Sequence, residues 1–272
     1  MKTKGLIITA VIAVLFFGAN LASAGNLVIT GSTTVLPIAQ KVAEAYMSQN
    51  PDVKISISGG GSGEGMKALI DGTTSIADSS RFIKDTEVKQ AVDKGRYPVP
   101  FAIAYDCIIP VVHPSNTVVN LTVQQLKGIY KGDIKNWKEV GGPDKKIVII
   151  SRDSSSGTYE VWDEKVMNKE KVSPAALMQA SNGAIVQAVS SNQNAIGYIG
   201  IGYVDNSVKA LMVNRVKGTA ETALNGTFPI HRALYMFTDG WPKGDTLNFI
   251  NFMLHPQKGQ KYVKEEGFVP MY

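Results

Sequence analysis

The sequence predicts an α/β protein with helices layered on mostly parallel strands, and three features carry that prediction. Short β-branched runs alternate with stretches of helical apolar spacing along most of the chain. Turns rich in glycine and hydroxyl residues separate them. The chain has 272 residues, 44% hydrophobic and only 19% charged, which is enough for one large core or two moderate ones and too apolar for extended disorder.

The elements follow in order. "MKTK", the apolar run "GLIITAVIAVLFFGANL" and the small residues "ASA" have the charged, apolar, small-small order of a secretory leader, so residues 1–24 are expected to be removed by cleavage after Ala24. No later apolar segment is long enough for a helical membrane span. "NLVITGSTTVLPIAQKVAEAYMSQNP" reads as strand, turn and helix: Ile38, Val42, Ala45 and Tyr46 keep helical spacing, Pro37 suits the first turn, and Asn50-Pro51 ends the helix. "VKISISGGGSGEGMKALI" repeats that plan, and "SIADSSRF" supplies a third short strand. "YPVPFAIAYDCIIPVVHPSN" reads as one long strand running past Asp106. "LTVQQLKGIY" opens a helix on a Thr122/Gln125 capping box, and "IKNWKEVGG" reads as a turn region. "KKIVII" is a strand, "SNGAIVQAVSSN" a short helix, "AIGYIGIGYV" a glycine-interrupted strand pair, and "VKALMV" and "RALYMFT" are strands. Two helices close the chain, separated by His255-Pro256 and stopped by Gly267.

Charge and composition exclude several classes. The formal charge of +5 falls by two, to +3, once Lys2 and Lys4 leave with the leader. That mild excess suits an anionic ligand, and no basic block or stripe points to nucleic acid. The single cysteine, Cys107, cannot form an internal disulfide and reads as a buried small hydrophobe. His113, His231 and His255 show no metal-ligand spacing. Gly60 and Gly65 stand at Walker spacing, but Met66-Lys67 replaces the Lys-Ser/Thr that a nucleotide loop needs.

Four strand ends carry one chemistry: "GSTT" (Gly31 to Thr34), "GGGSGEG" (Gly59 to Gly65), "SSR" (Ser79 to Arg81) and "RDSSSGT" (Arg152 to Thr158). Ligands of open α/β sheets sit beyond the carboxyl ends of strands, where helix N-termini present free N–H groups. Glycine admits a ligand close to the backbone, hydroxyls add neutral donors, and two of the four ends bear arginine. A tetrahedral oxyanion fits that set. Each Ser or Thr taken singly is also a good N-cap. A hydrolase is the alternative from another class: Ser62 misses a nucleophile elbow by Glu64, and Ser156, His231 and Asp106 are the residue types of a triad, with no spacing to support it.

Taken in order, "GSTTVLPIAQ", "GGGSGEGMKAL", "ADSSR", "AYDCIIPVV", "LTVQQLKGIYKGDIKNWKEVGG", "SRDSSSGTYE", "AIGYIGIGYV" and "FMLHPQKGQKYVKEEGFVPM" resemble the periplasmic phosphate-binding proteins that feed ABC transporters, and they span nearly all of the chain after the leader. The resemblance implies a type II periplasmic-binding-protein fold: two α/β lobes joined by crossover strands, with the ligand in the cleft between them. It implies one lobe from residues 25–105 and 232–272, a second from 106–231, and hinges near Ala104–Asp106 and Arg232–Leu234. It implies a phosphate site of Ser32, Thr33, Thr34, Ser62, Ser80, Arg81, Arg152, Ser155, Ser156, Gly157 and Thr158. Asp106 is expected as the acceptor for the proton of hydrogen phosphate, or as the partner of Arg81 or Arg152. A periplasmic monomer is expected that binds phosphate, needs no cofactor or metal, catalyses nothing and docks on a membrane permease. Sulfate or molybdate is the alternative ligand.

Overall fold

The computed structural model describes residues 26–272, so the leader and its cleavage after Ala24 lie outside the described residues. Strand β1 (Asn26–Gly31) runs into helix α1 (Leu36–Gln49), which carries Pro37 in its first turn and buries Ile38, Ala39, Val42, Ala43 and Tyr46. The face therefore falls on Ala43, with Ala45 only half-buried. Strand β2 (Lys54–Gly59) leads through three glycines to α2 (Ser62–Asp71), which ends at Gly72 in the left-handed region. Strand β3 (Ile76–Ser79) is buried along its length. Helix α3 (Asp85–Asp93), absent from the sequence reading, starts where Glu87 reaches back to accept the Lys84 N–H at 3.0 Å.

The long strand β4 (Pro98–Val112) is continuous, as its pattern predicts. Beyond it come β5 (Asn120–Leu121) and α4 (Val123–Lys131), opened by the Thr122/Gln125 box with reciprocal bonds of 3.1 and 2.9 Å. A 3-10 turn at Trp137–Val140 precedes β6 (Val148–Arg152) and α5 (Gly157–Trp162), which relaxes into one π turn at Asp163–Met167. Then follow β7 (Leu177–Gln179), α6 (Asn182–Ser190) and β8 (Ala195–Gly200). Only the first half of "AIGYIGIGYV" is strand. The Ile201 N–H donates to the Asp106 carboxylate instead of a neighbouring strand, and Ile201–Tyr203 turn as a 3-10 helix. "VKALMV" divides into β9 (Lys209–Ala210) and β10 (Met212–Val213), with Leu211 between them bonded to Pro110. Helix α7 (Ala220–Leu224), strand β11 (His231–Asp239), and helices α8 (Gly244–Leu254) and α9 (Gly259–Glu265) complete the chain.

The main sheet has the order β2-β1-β3-β11-β4-β8-β6-β7, with β9 also on β4. Its two wings are parallel: β1 with β2 and β3, and β6 with β7 and β8. The central pair β4–β11 is antiparallel and carries the chain from one wing to the other. Besides a smaller one of Met66, Leu69, Ala77, Ile83 and Phe237 under α2, two large apolar cores sit on either side of that pair. One gathers Ile29, Ile38, Val42, Phe249 and Met253 and reaches Ala104 and Leu234. The other gathers Ile108, Trp137, Trp162, Ile196 and Tyr198 and reaches Cys107 and Ile230. At about 1.5–3 kcal/mol for each large apolar side chain fully buried, each wing holds itself together, and the seam between them is left to polar groups. Cys107 is buried as expected, and burial pushes its thiol up to about 12.

Candidate anion-binding site

The strand ends are shaped before any ligand is considered. Gly31 has φ +144°, and a Cβ there would overlap the Asp78 carbonyl, so only glycine lets β1 turn against β3. The Ser32 N–H donates to that same carbonyl at 2.8 Å, and Ser32 Oγ accepts the Thr34 N–H at 3.1 Å, which launches α1 and leaves Thr33 and Thr34 buried at its start. On the next end the N–H groups of Gly60 and Gly61 both donate to the Gly31 carbonyl at 2.9 Å. Ser62, the first residue of α2, accepts the Ser80 N–H at 3.0 Å, and the two hydroxyls lie 3.2 Å apart. In the other wing Ser156 caps α5 by accepting the Tyr159 N–H at 3.2 Å, which sets Gly157 and Thr158 at the helix start.

These ends meet across the seam. The Thr34 and Thr158 hydroxyls are 3.0 Å apart. Gly157 lies so close to Ser62 and Ser80 that a Cβ would collide with both hydroxyls. Ser155 joins the same seam at its margin, donating its hydroxyl to the Gly60 carbonyl at 3.0 Å and accepting the Gly63 N–H at its own carbonyl at 2.9 Å; its hydroxyl also bonds Asp153 and does not reach the central group.

Asp106 is fully buried at the middle of β4, and its partner is neither Arg81 nor Arg152. Arg232 lies directly opposite it in the β4–β11 ladder and places Nε and Nη2 at 2.8 and 2.7 Å from Oδ2. Oδ1 accepts the Ile201 N–H at 2.8 Å. Burial raises the Asp106 carboxyl and the Arg232 charge opposes that rise; burial likewise lowers Arg232, and the carboxylate opposes it. Three N–H donors aimed at one carboxylate fit the ionised pair. Arg232 also donates to the Ser80 carbonyl at 3.0 Å and, through Nη2, to the Thr158 and Thr34 hydroxyls at 3.1 and 3.3 Å. It therefore touches hydroxyls from both wings.

Arg152 is 1% exposed. Its Nε and Nη2 donate to the Gln179 and Ala180 carbonyls at 3.0 and 2.9 Å, whereas Nη1 is buried without a hydrogen-bond partner. Burial lowers its affinity for a proton; the Asp153 carboxylate, 4.0 Å from Nη2, opposes that, and the Arg232 charge adds to it more weakly. Two buried guanidinium groups face one buried carboxylate, Asp106, and one partly exposed one, Asp153, which leaves room for a buried anion beside Arg152 Nη1.

Arg81 is placed elsewhere. Its guanidinium takes both oxygens of Glu87, at 2.8 and 2.6 Å, and its Nε lies 2.6 Å from Glu160. Glu87 holds it by two hydrogen bonds and Glu160 by charge alone, since Arg81 Nε and Glu160 Oε2 are close without hydrogen-bond geometry; it borders a 930 Å³ groove lined also by Lys84, Tyr105, His231 and Arg232. The residues of the alternative triad are not assembled either: His231 Nδ1 bonds the Phe228 carbonyl at 2.7 Å, Ser156 caps its helix and Asp106 holds Arg232.

Arg232 and Asn182 were not anticipated as site residues. Arg232 had a legible signal, since it occupies an inward position of β11, in step with buried Leu234 and Met236, where a charge has no place unless it is paired. Asn182, fully buried at the start of α6, had none beyond the look of a helix cap.

Residues 19–257 match the PBP superfamily domain. A phosphate-binding protein PstS of Staphylococcus epidermidis is 35% identical over 253 residues, covering 88% of this chain and 77% of that protein. The PstS of Borreliella burgdorferi is 34% identical over 253 residues, covering 89% and 88%. Among solved structures, a putative phosphate ABC transporter substrate-binding protein with bound phosphate from Clostridium perfringens superposes with a TM-score of 0.85 at 36% identity, covering 91% of this chain and all of that one. The fold is the type II binding-protein fold that the sequence motifs imply.

Proposed function

Because the chain belongs to the PstS-like phosphate-binding proteins of the PBP superfamily, we propose that it captures inorganic phosphate outside the cytoplasm and delivers it unchanged to the membrane permease of an ABC transporter. The protein acts as a periplasmic monomer released from its leader after Ala24, without catalysis. One lobe comprises residues 25–105 and 232–272, the other 106–231, and phosphate sits in the seam between them.

A single observation carries this reading: Arg232, paired with the fully buried Asp106, touches the Thr34 and Thr158 hydroxyls of both wings, next to a Ser62–Ser80 hydroxyl pair packed on Gly157 and a buried Arg152 with a free donor. A dianion loses its hydration on entering such a seam, so fixed donors must replace water. Charge-assisted hydrogen bonds contribute about 1.5–3 kcal/mol each, net, and a few of them reach the roughly 8 kcal/mol of micromolar affinity. Thr33, Ser32, Ser155, Ser156 and Gly157 shape the donor ring through helix starts and close packing. Arg81 contributes from outside it, by joining the lobes.

Asp106 supplies selectivity. A carboxylate only accepts hydrogen bonds, and hydrogen phosphate has a proton to give where sulfate has none. With Oδ2 engaged by Arg232, the free lone pair is on Oδ1. Sulfate would set lone pair against lone pair there, which is the strong form of rejection. The test is equilibrium binding of radiolabelled phosphate with sulfate as competitor, alongside an assay of phosphate-ester turnover. Saturable phosphate binding without turnover is expected. Displacement by equimolar sulfate would move the assignment to another oxyanion, and turnover would revive the hydrolase.

A further inference from the structure

We propose that Tyr203 is a positioning residue of the anion site: its hydroxyl stands in for the backbone donor that Pro37 removes, and so holds the turn that presents Thr34. The inference rests on the phosphate-binding reading and adds to it a group that does not touch the ion.

Pro37 creates the need. At the start of α1 the Leu36 N–H donates to the Ser32 carbonyl at 3.0 Å, which is the i to i−4 bond of a helix. The next carbonyl, Thr33, would take the N–H of residue 37. Proline has none, and its ring presses on the carbonyl four residues back. Thr33 is buried, and a buried carbonyl without a donor costs about as much as a lost hydrogen bond. Its donor comes from the other wing: the Tyr203 hydroxyl donates to the Thr33 carbonyl at 2.6 Å.

Two glycines bring the tyrosine there. Strand β8 stops where the Ile201 N–H goes to Asp106, and Ile201–Tyr203 then run against the C-terminal segment of the first wing. A Cβ at Gly202 would overlap the Phe268 ring and the Glu266 carbonyl, and Gly267 packs on the Gly202 backbone. The Tyr203 ring stands edge-on to Phe268, with centroids 6.5 Å apart and planes at 81°. Ile201 and Tyr203 pack against both large cores. Packing thus places the phenol independently of the bond its hydroxyl makes. Burial pushes it up to about 12, so at neutral pH it keeps the proton it donates.

The bond lies one residue from the donor ring. Thr34 Oγ1 is 3.0 Å from Thr158 Oγ1 and 3.3 Å from Arg232 Nη2. Asn182 Nδ2, from the same wing as Tyr203, reaches the Thr34 and Thr33 hydroxyls at 3.0 and 3.3 Å. One wing therefore grips both the side chains and the main chain of a turn that belongs to the other.

A double-mutant cycle on inorganic phosphate binding, read by calorimetry, is the test. Tyr203→Phe keeps the ring and removes the donor. Phosphate affinity should fall about tenfold, as a buried acceptor is left unpaired, and sulfate should still be rejected. Pro37→Ala restores a main-chain N–H for the Thr33 carbonyl. In the Pro37→Ala background the loss caused by Tyr203→Phe should shrink to below about threefold. An equal loss in both backgrounds would show that the tyrosine acts through other contacts and would overturn the inference. Wild-type affinity in Tyr203→Phe, or a gain of sulfate binding, would overturn it as well. Wild-type protein that binds no phosphate would instead remove the functional reading, and this inference with it.

Discussion

Replacing Glu160 with glutamine tests how the lobes are held together. Arg81 and Lys84, which follow β3, both reach Glu160 on α5, at 2.6 and 2.8 Å, only two residues beyond Thr158. The contact crosses the seam, and in the proposed mechanism it exists only when the lobes are together. Exposed ion pairs contribute about 0–1 kcal/mol, whereas removing one partner of a buried pair costs about 3–5 kcal/mol. Arg81 and Glu160 are 6% and 16% exposed, which favours the higher range. Arg81 keeps Glu87 in the variant, so no charge is stranded, and the Lys84 arm is half-exposed and screened. About 1–2 kcal/mol of closed-state stability should be lost, and 1.4 kcal/mol is about tenfold in a rate. Glu160→Gln should therefore release phosphate about tenfold faster, with association little changed because the pair forms after encounter. Stopped-flow release into a fluorescent phosphate trap measures the rate, and high salt should narrow the gap between variant and wild type. A release rate equal to wild type, or a loss of affinity carried wholly by association, would refute the reasoning.

Three further outcomes are expected. Asp106→Asn leaves Arg232 buried without its counterion, so the variant should favour sulfate relative to phosphate by at least about tenfold over wild type; calorimetry with both anions decides, and unchanged discrimination removes Asp106 from its role. Gly157→Ala would drive a methyl into the Ser62 and Ser80 hydroxyls; phosphate affinity should fall at least about a hundredfold while the melting temperature stays near wild type, since the collision is in the seam and not in a core. Asp78 is fully buried with Oδ1 unpartnered, and burial pushes its carboxyl well above the usual range. The folded protein thus holds that proton more tightly than the unfolded chain. The resulting stability is present below the ordinary value of 3.8 and is lost as pH rises through the raised one. Asp78→Asn should accordingly melt above wild type at about pH 8 and lose that advantage below about pH 4; a lead that persists in acid would show that ionisation is not the cause.

Elements with a local cause were legible. Helix α4 announced itself through Thr122 and Gln125, and β4 through an unbroken apolar run. Thr34, Ser62, Ser80 and Thr158 could be picked out because glycine and hydroxyl residues cluster at strand ends for few reasons. What stayed hidden depends on partners far along the chain. Arg81 looks like a ligand group beside two serines, yet Glu87 and Glu160 claim it, and nothing near "SSR" foretells a carboxylate 79 positions later. Arg232 and Asp106 are 126 residues apart and meet only because β11 returns along β4. "AIGYIGIGYV" has strand composition throughout, but a buried carboxylate captures the N–H that would have continued the ladder.

The β4–β11 ribbon is out of step at one place. Leu234 lies opposite Ala104 and Tyr235 opposite Ala102, so Ile103 is an extra residue with no counterpart. Such an irregularity sharpens the local coil of a ribbon and interrupts its bonding. The extra residue stands three positions from Asp106, and Leu234 two from Arg232, so the local bend of the ribbon helps set the angle at which the two strands bring that buried ion pair together.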